Sequence, residues 1–208
     1  MKIETIPVGQ LDTNCFVVSD EETQEAIIID PGDDPERIRT SIDARGLRPA
    51  YILFTHGHYD HVCAVRELKE LYHAMVIMHE SEDRIYEETK KLCMSWGYDE
   101  KDFPQPDAFV KEGDEIRIGK SSFTVIHTPG HTPGGICLYG DGVLFTGDTL
   151  FRSSAGRTDL PGGNRDHLLT SLKRLMQFPP STRVCCGHEE ETTIGLEIKT
   201  NPLLHALL

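Results

Sequence analysis

The amino-acid sequence predicts a layered α/β architecture, and three observations carry that prediction. Strand-length apolar runs alternate with stretches of helical periodicity. The alternation falls into two blocks, each with loops rich in His, Asp and Gly. Two of the apolar runs are continuous rather than alternating, as expected of strands covered on both faces. The length of 208 residues suits one domain spanning residues 1–208.

Strand signals open the chain at Lys2–Pro7, Cys15–Ser19 and Ala26–Asp30. The last, AIIID, is uniformly apolar and stops at Pro31-Gly32, which reads as a buried strand entering a turn. Pro35 opens a helix with Ile38, Ile42 and Ala44 on its apolar side, ended by Gly46. Tyr51–Thr55 is a second buried strand and runs into HGHYDH. A helix with Val62, Val65, Leu68 and Leu71 follows, then a strand at Met75–Met78. Residues Glu80–Gly97 read as helix, and FPQPD as a loop. The stretch 81–107 is a possible helical lid insertion, with Tyr86, Trp96, Tyr98 and Phe103 at a substrate entrance; a plain packing helix fits its composition equally. Strands are expected at Glu115–Ile118, Ser122–His127, Gly135–Leu138, Val143–Phe145 and Arg183–Cys186, with helices at Arg165–Gln177 and Thr192–Thr200.

The formal charge of −13 argues against nucleic acid and anionic membrane as partners, since both need a basic face. The N-terminal MKIETIPVGQ has no apolar leader, and no apolar run reaches membrane-span length. The six cysteines form no C-x-x-C pair, so a reduced, cytoplasmic protein is expected, with each cysteine a small buried hydrophobe.

The chemistry concentrates in Thr55-His56-Gly57-His58-Tyr59-Asp60-His61. Four potential metal ligands stand within six residues at the end of a buried strand, with Gly57 allowing a turn between imidazoles. Imidazole and carboxylate suit zinc, iron or manganese. Three further candidates, His131 in TPGHT, Asp148 in FTGDT and His188 in CCGH, each follow a glycine at the end of an apolar run. A rigid sheet can aim side chains from such positions at one point.

This ordered set, H-x-H-x-D-H then TPGHT, TGD and a late GH, resembles the metallo-β-lactamase superfamily. The segments Ile29-Asp30-Pro31-Gly32, Asp148-Thr149-Leu150-Phe151, Gly156 to Gly163 and Thr192 to Pro202 are similar to short bacterial hydrolases related to glyoxalase II. The resemblance implies a four-layer αβ/βα sandwich of two mixed β-sheets flanked by helices. It implies two divalent metal ions, zinc first, with iron or manganese as alternatives. His56, His58 and His131 would hold one ion, Asp60, His61 and His188 the other, and Asp148 would bridge them. A shared hydroxide would attack a small-molecule thioester, such as S-lactoylglutathione, or an ester. Asp60 and Asp148 are the implied catalytic carboxylates, and Asp30 the implied support of a ligand imidazole.

Two departures bear on substrate. The resemblance does not extend to the C-terminal helical domain that grips glutathione in the longer enzymes, and Glu189-Glu190 stands where Gly-Pro is usual after the last histidine. Both predict weak glutathione binding, with Arg152, Arg157 and Arg165 as candidate positive charges. A lactonase or other esterase, a mononuclear-iron persulfide dioxygenase and a non-catalytic metal-binding module remain alternative readings.

Overall fold

Two six-stranded sheets lie face to face, each with helices on its outer side, in a computed structural model that describes residues 1–205. The first half runs β1 (Lys2–Val8), β2 (Thr13–Ser19), β3 (Glu25–Ile29), α1 (Pro35–Ala44), β4 (Arg48–Leu53), α2 (Tyr59–Val62), α3 (Val65–Tyr72), β5 (Met75–His79), α4 (Asp83–Ser95) and β6 (Ala108–Val110). Its sheet has the order β1 to β6, antiparallel across β1–β3 and parallel from β3 to β6.

The second half comprises β7 (Glu115–Ile118), β8 (Ser121–His127), β9 (Ile136–Gly140), β10 (Val143–Gly147), β11 (Leu150–Phe151), β12 (Ser154–Ala155), α5 (Arg165–Leu175), β13 (Arg183–Cys186), β14 (Thr192–Thr193), α6 (Ile194–Thr200) and α7 (Pro202–His205). Its sheet is ordered β14-β13-β10-β9-β8-β7, parallel only between β10 and β13, so both sheets are mixed.

Three apolar cores fill the three spaces between four layers. Successive residues of β3 point to opposite faces: Ala26 and Ile28 meet α1, α3 and α4, while Ile27 and Ile29 enter the space between the sheets. The second sheet repeats this, with Phe145 and Cys185 inside and Leu144, Val184 and Cys186 against α5 to α7. Burial on both faces explains why the strands read as continuous apolar runs. α5 starts where Asn164 accepts hydrogen bonds from the Asp166 and His167 amides.

Several local expectations differ from the structure. The helix expected from Val62 breaks at Cys63-Ala64, so Asp60 and His61 ride on their own short turn, α2. Leu71 is exposed, although its spacing continues the apolar stripe. Helix 80–97 starts as a tight 3₁₀ turn and ends at Ser95. Residues Thr192–Thr193 form an edge strand before α6. β6, β11 and β12 had no signal in the sequence, being two or three residues long. Among the described residues, no helix is long and apolar enough to cross a membrane.

Candidate metal centre

The ligand-bearing loops follow β4, β8, β10 and β13 and are stitched together by their backbones. Ile136 N donates to Thr55 O (2.9 Å), Gly187 N to Gly147 O (2.8 Å), and Asn14 N to Gly187 O (2.8 Å). Gly187 has a steric reason: a Cβ there would lie 2.4 Å from Asp148 Oδ1. Gly57 does not adopt a left-handed turn; a Cβ there would press on the Tyr86 amide of α4 at 3.0 Å. Its value is close approach.

All seven sequence candidates meet in one place. Ligand atoms of His56, His58 and His131 form one compact set and those of Asp60, His61 and His188 another, each within 4.8 Å. Asp148 stands between them. Its Oδ1 is 3.5 Å from His61 Nε2, and its Oδ2 is 3.6 Å from His131 Nε2 and 3.7 Å from His188 Nε2.

The hydrogen-bond network assigns the imidazole tautomers. Nδ1 of His131 faces the Arg157 carbonyl (2.7 Å), Nδ1 of His188 the Leu11 carbonyl (3.1 Å), and Nδ1 of His61 the Asp30 carboxylate (3.0 Å). Each Nδ1 therefore carries a proton and Nε2 faces the cluster, where His131 Nε2 accepts from His58 Nδ1 at 2.9 Å. Thr55 Oγ1 donates to Asp30 Oδ2 (2.6 Å), so it accepts from His56 Nδ1 at 3.1 Å. Asp30 also takes the Thr55 amide at 2.7 Å, which commits both its oxygens to anchoring. It holds the ring of His61 directly and that of His56 through Thr55.

Burial pushes the imidazoles of His56, His58 and His131 down, His58 to about 3, so this set consists of neutral bases at pH 7. Burial also works against charge on His61 and His188. There the neighbouring carboxylates win: Asp60, Asp148 and Asp30 raise His61, and Asp60 and Asp148 raise His188. Burial opposes ionisation of Asp60, yet His61 and His188 hold it well below the carboxylate range.

The residues fit a divalent cation. His56 Nε2, His61 Nε2 and Asp148 Oδ1 are buried without any hydrogen-bond partner. Orphaned buried lone pairs are costly unless something positive satisfies them. Imidazole and carboxylate are suitable donors for zinc, iron or manganese.

The cluster floors a cavity of about 560 Å³, whose wall includes Ile85, Glu88, Thr89 and Leu92. These four share one face of α4, and the sequence reading missed them. It offered Tyr86, Trp96, Tyr98 and Phe103 as an entrance, with plain packing as an equal reading. Tyr86 and Phe103 are core residues, whereas Trp96 and Tyr98 line a neighbouring cavity beside Asp60. Glu82 was also missed. Fully buried, it accepts from Gly57 N (2.9 Å), Thr132 Oγ1 (2.9 Å) and Gly134 N (2.7 Å), tying the His58 loop to the His131 loop. Burial raises its carboxyl to about 7 against the pull of those donors.

Arg165 is exposed at the start of α5 and does not line the cavity, and the other two candidate arginines are engaged. Arg157 grips Asp159 through two bonds, and Arg152 pairs with Glu190. His127 stacks on His79 outside the cluster at 4.1 Å. The cysteines are free thiols. The side chain of His205, read from sequence as ordinary, lies outside the described residues.

A family model described as the Metallo-beta-lactamase superfamily matches residues 8–188. The hydroxyacylglutathione hydrolase GloC of Haemophilus influenzae is 36% identical over 211 residues, covering 99% of this chain and 99% of its own. The crystal structure of TTHA1623 in a di-iron-bound form is 40% identical with a TM-score of 0.86, covering 97% of this chain and 100% of that one. The BLEG-1 B3 metallo-beta-lactamase is 36% identical with a TM-score of 0.87, covering 98% and 99%.

Proposed function

The chain belongs to the metallo-β-lactamase superfamily, and from that premise we propose that it is a hydrolase that uses two divalent metal ions to cleave a thioester or ester carbonyl. The observation that carries this reading is Asp148, whose two oxygens face imidazoles of both ligand sets at 3.5–3.7 Å. His56, His58 and His131 would hold one ion, Asp60, His61 and His188 the other, and Asp148 both. We assign zinc first; iron is the alternative raised by the di-iron-bound relative, and manganese suits the same donors.

When bound, two such ions lower the pKa of a shared water and polarise a carbonyl oxygen. The chain's own groups do the rest. Asp60 stays ionised, and Thr13 Oγ1 donates to its Oδ2 at 3.3 Å. Its carboxylate accepts a hydrogen bond from the attacking water and orients it. Water is the proposed nucleophile, and among the described residues lining the cavity there is no serine or cysteine to compete with it.

The relative named hydroxyacylglutathione hydrolase is matched over 99% of its own length. The C-terminal helical domain on which the expectation of weak glutathione binding rested is therefore not needed by a protein of that name. The test is a hydrolysis screen of the metal-reconstituted protein, with metal analysis alongside. It covers S-lactoylglutathione, neutral thioesters, lactones, a β-lactam and phosphodiesters. Thioester or ester cleavage that requires two ions per chain is expected. Cleavage of phosphodiesters alone, or oxygen consumption with glutathione persulfide instead of hydrolysis, would overturn the proposal.

A further inference from the structure

Exposed apolar side chains gather at the mouth of the site. Leu11 on the β1–β2 turn is 51% exposed, Leu92 on α4 is 45% exposed, and Trp96 just beyond α4 is 54% exposed. Leu11 and Leu92 line the cavity above the ligand cluster, together with Ile85 and Leu160. A second cavity of about 330 Å³ shares Leu11, Tyr59 and Asp60 with the first and ends at Trp96 and Tyr98. Trp96 packs edge-on against Tyr59 at 5.1 Å, so its ring is held at this rim. Large apolar groups left in water around a polar floor mark a surface built to receive an apolar ligand.

The charges at the same place point the same way. Among the described residues lining the main cavity, Arg157 is the one Lys or Arg, and Asp159 neutralises it through bonds of 2.7 and 2.8 Å. Glu88, in the wall of the first cavity, is paired with Arg84 at 2.8 Å, and Asp33 stands in the wall of the second. A peptide thiol with free carboxylates meets no unpaired Lys or Arg among the described residues lining this cleft.

We infer that the cleft selects an uncharged, apolar acyl chain of several carbons. The scissile carbonyl sits above Asp60 and Asp148, and the chain runs along Leu92 and Leu11 toward Trp96. The reaction is hydrolysis: water adds to the acyl carbon, the carbon–sulfur or carbon–oxygen bond breaks, and the carboxylic acid and the free thiol or alcohol leave. This rests on the hydrolase reading above and names its substrate class.

The experiment has a kinetic arm and a binding arm. In the first, the metal-loaded protein is given acetyl and hexanoyl thioesters of N-acetylcysteamine, and S-lactoylglutathione. The hexanoyl ester should exceed the acetyl ester in kcat/KM by at least roughly tenfold, the scale of a few buried methylenes. It should also exceed S-lactoylglutathione. L92E and L11E, both at exposed positions that leave the fold intact, should narrow the hexanoyl-to-acetyl ratio by raising KM for the longer chain. In the second arm, calorimetry measures binding of the unhydrolysable methyl and hexyl thioethers of the same thiol. Tighter hexyl binding with a negative heat-capacity change supports the inference even where no ester is cleaved, an outcome that sinks only the hydrolase reading. Equal binding of the two thioethers, or a preference for S-lactoylglutathione over the hexanoyl ester, overturns the inference while leaving the hydrolase reading in place.

Discussion

The two ligand sets lie side by side, yet their surroundings prepare them differently. His56, His58 and His131 are three imidazoles that burial keeps neutral, with His58 Nδ1 hydrogen-bonded to His131 Nε2. Asp60, His61 and His188 are a mixed set in which carboxylates draw protons onto the histidines. The first set needs only a cation, whereas the second must release protons to take one. The comparison teaches that ligand identity alone does not rank two neighbouring sites; the charge beside each imidazole does.

The largest way to break this comparison is to remove what joins the sets. Asp148→Ala should lower kcat roughly a thousandfold, the scale of several kcal/mol of lost charge stabilisation. The fold should survive, as read by circular dichroism. A variant retaining most of its activity means that Asp148 is not shared.

The supports differ in reach: Asp30 touches both sets, Glu82 the loops of one. Asp30 holds His61 and the Thr55 that orients His56. Asp30→Asn should weaken metal binding roughly 10–100-fold, the range for lost outer hydrogen bonds, most at His61, which it holds directly, and less at His56, which it reaches through Thr55. Chelator competition reads this directly. Glu82 belongs to the other side, spanning the His58 and His131 loops. Glu82→Gln turns an amide NH₂ toward backbone donors and should cost about 1–3 kcal/mol in urea unfolding. It should loosen the three-histidine set, seen in the visible spectrum of the cobalt-substituted protein.

Acid gives a smaller, graded effect. The raised pKa of His61 means that protons compete with metal below that value, and each pH unit further down costs about tenfold in affinity. His58, pushed down to about 3, stays neutral between pH 7 and 5. Lowering the pH across that range should therefore empty the Asp60 set first. Metal retained per chain after dialysis at each pH checks the order, and loss from the three-histidine set first contradicts it.

Much of the centre was legible in the sequence because its residue types are rare and closely spaced. HGHYDH, TPGHT, FTGDT and CCGH carry their chemistry in the letters, and Asp30 was visible at a strand end. Glu82 was not, because its partners Thr132 and Gly134 are 50 and 52 residues away and meet it only when the sheets stack. Nor was Asn14, whose side chain reaches Cys186 O across 172 residues and steadies the His188 loop. The strands were legible where both faces are buried, as in AIIID. The break at Cys63-Ala64 was hidden because the apolar spacing runs straight through it. Tyr86 and Trp96 show the same limit: period alone does not say which aromatic faces the core and which the cleft.

The central claim is a two-ion centre joined by one carboxylate. The most direct measurement is anomalous diffraction from crystals of the metal-reconstituted protein, paired with elemental analysis. The account predicts two ions per chain, one on His56, His58 and His131 and one on Asp60, His61 and His188, with the Asp148 carboxylate on both. A fully occupied single ion, with Asp148 turned away from it, would contradict the account.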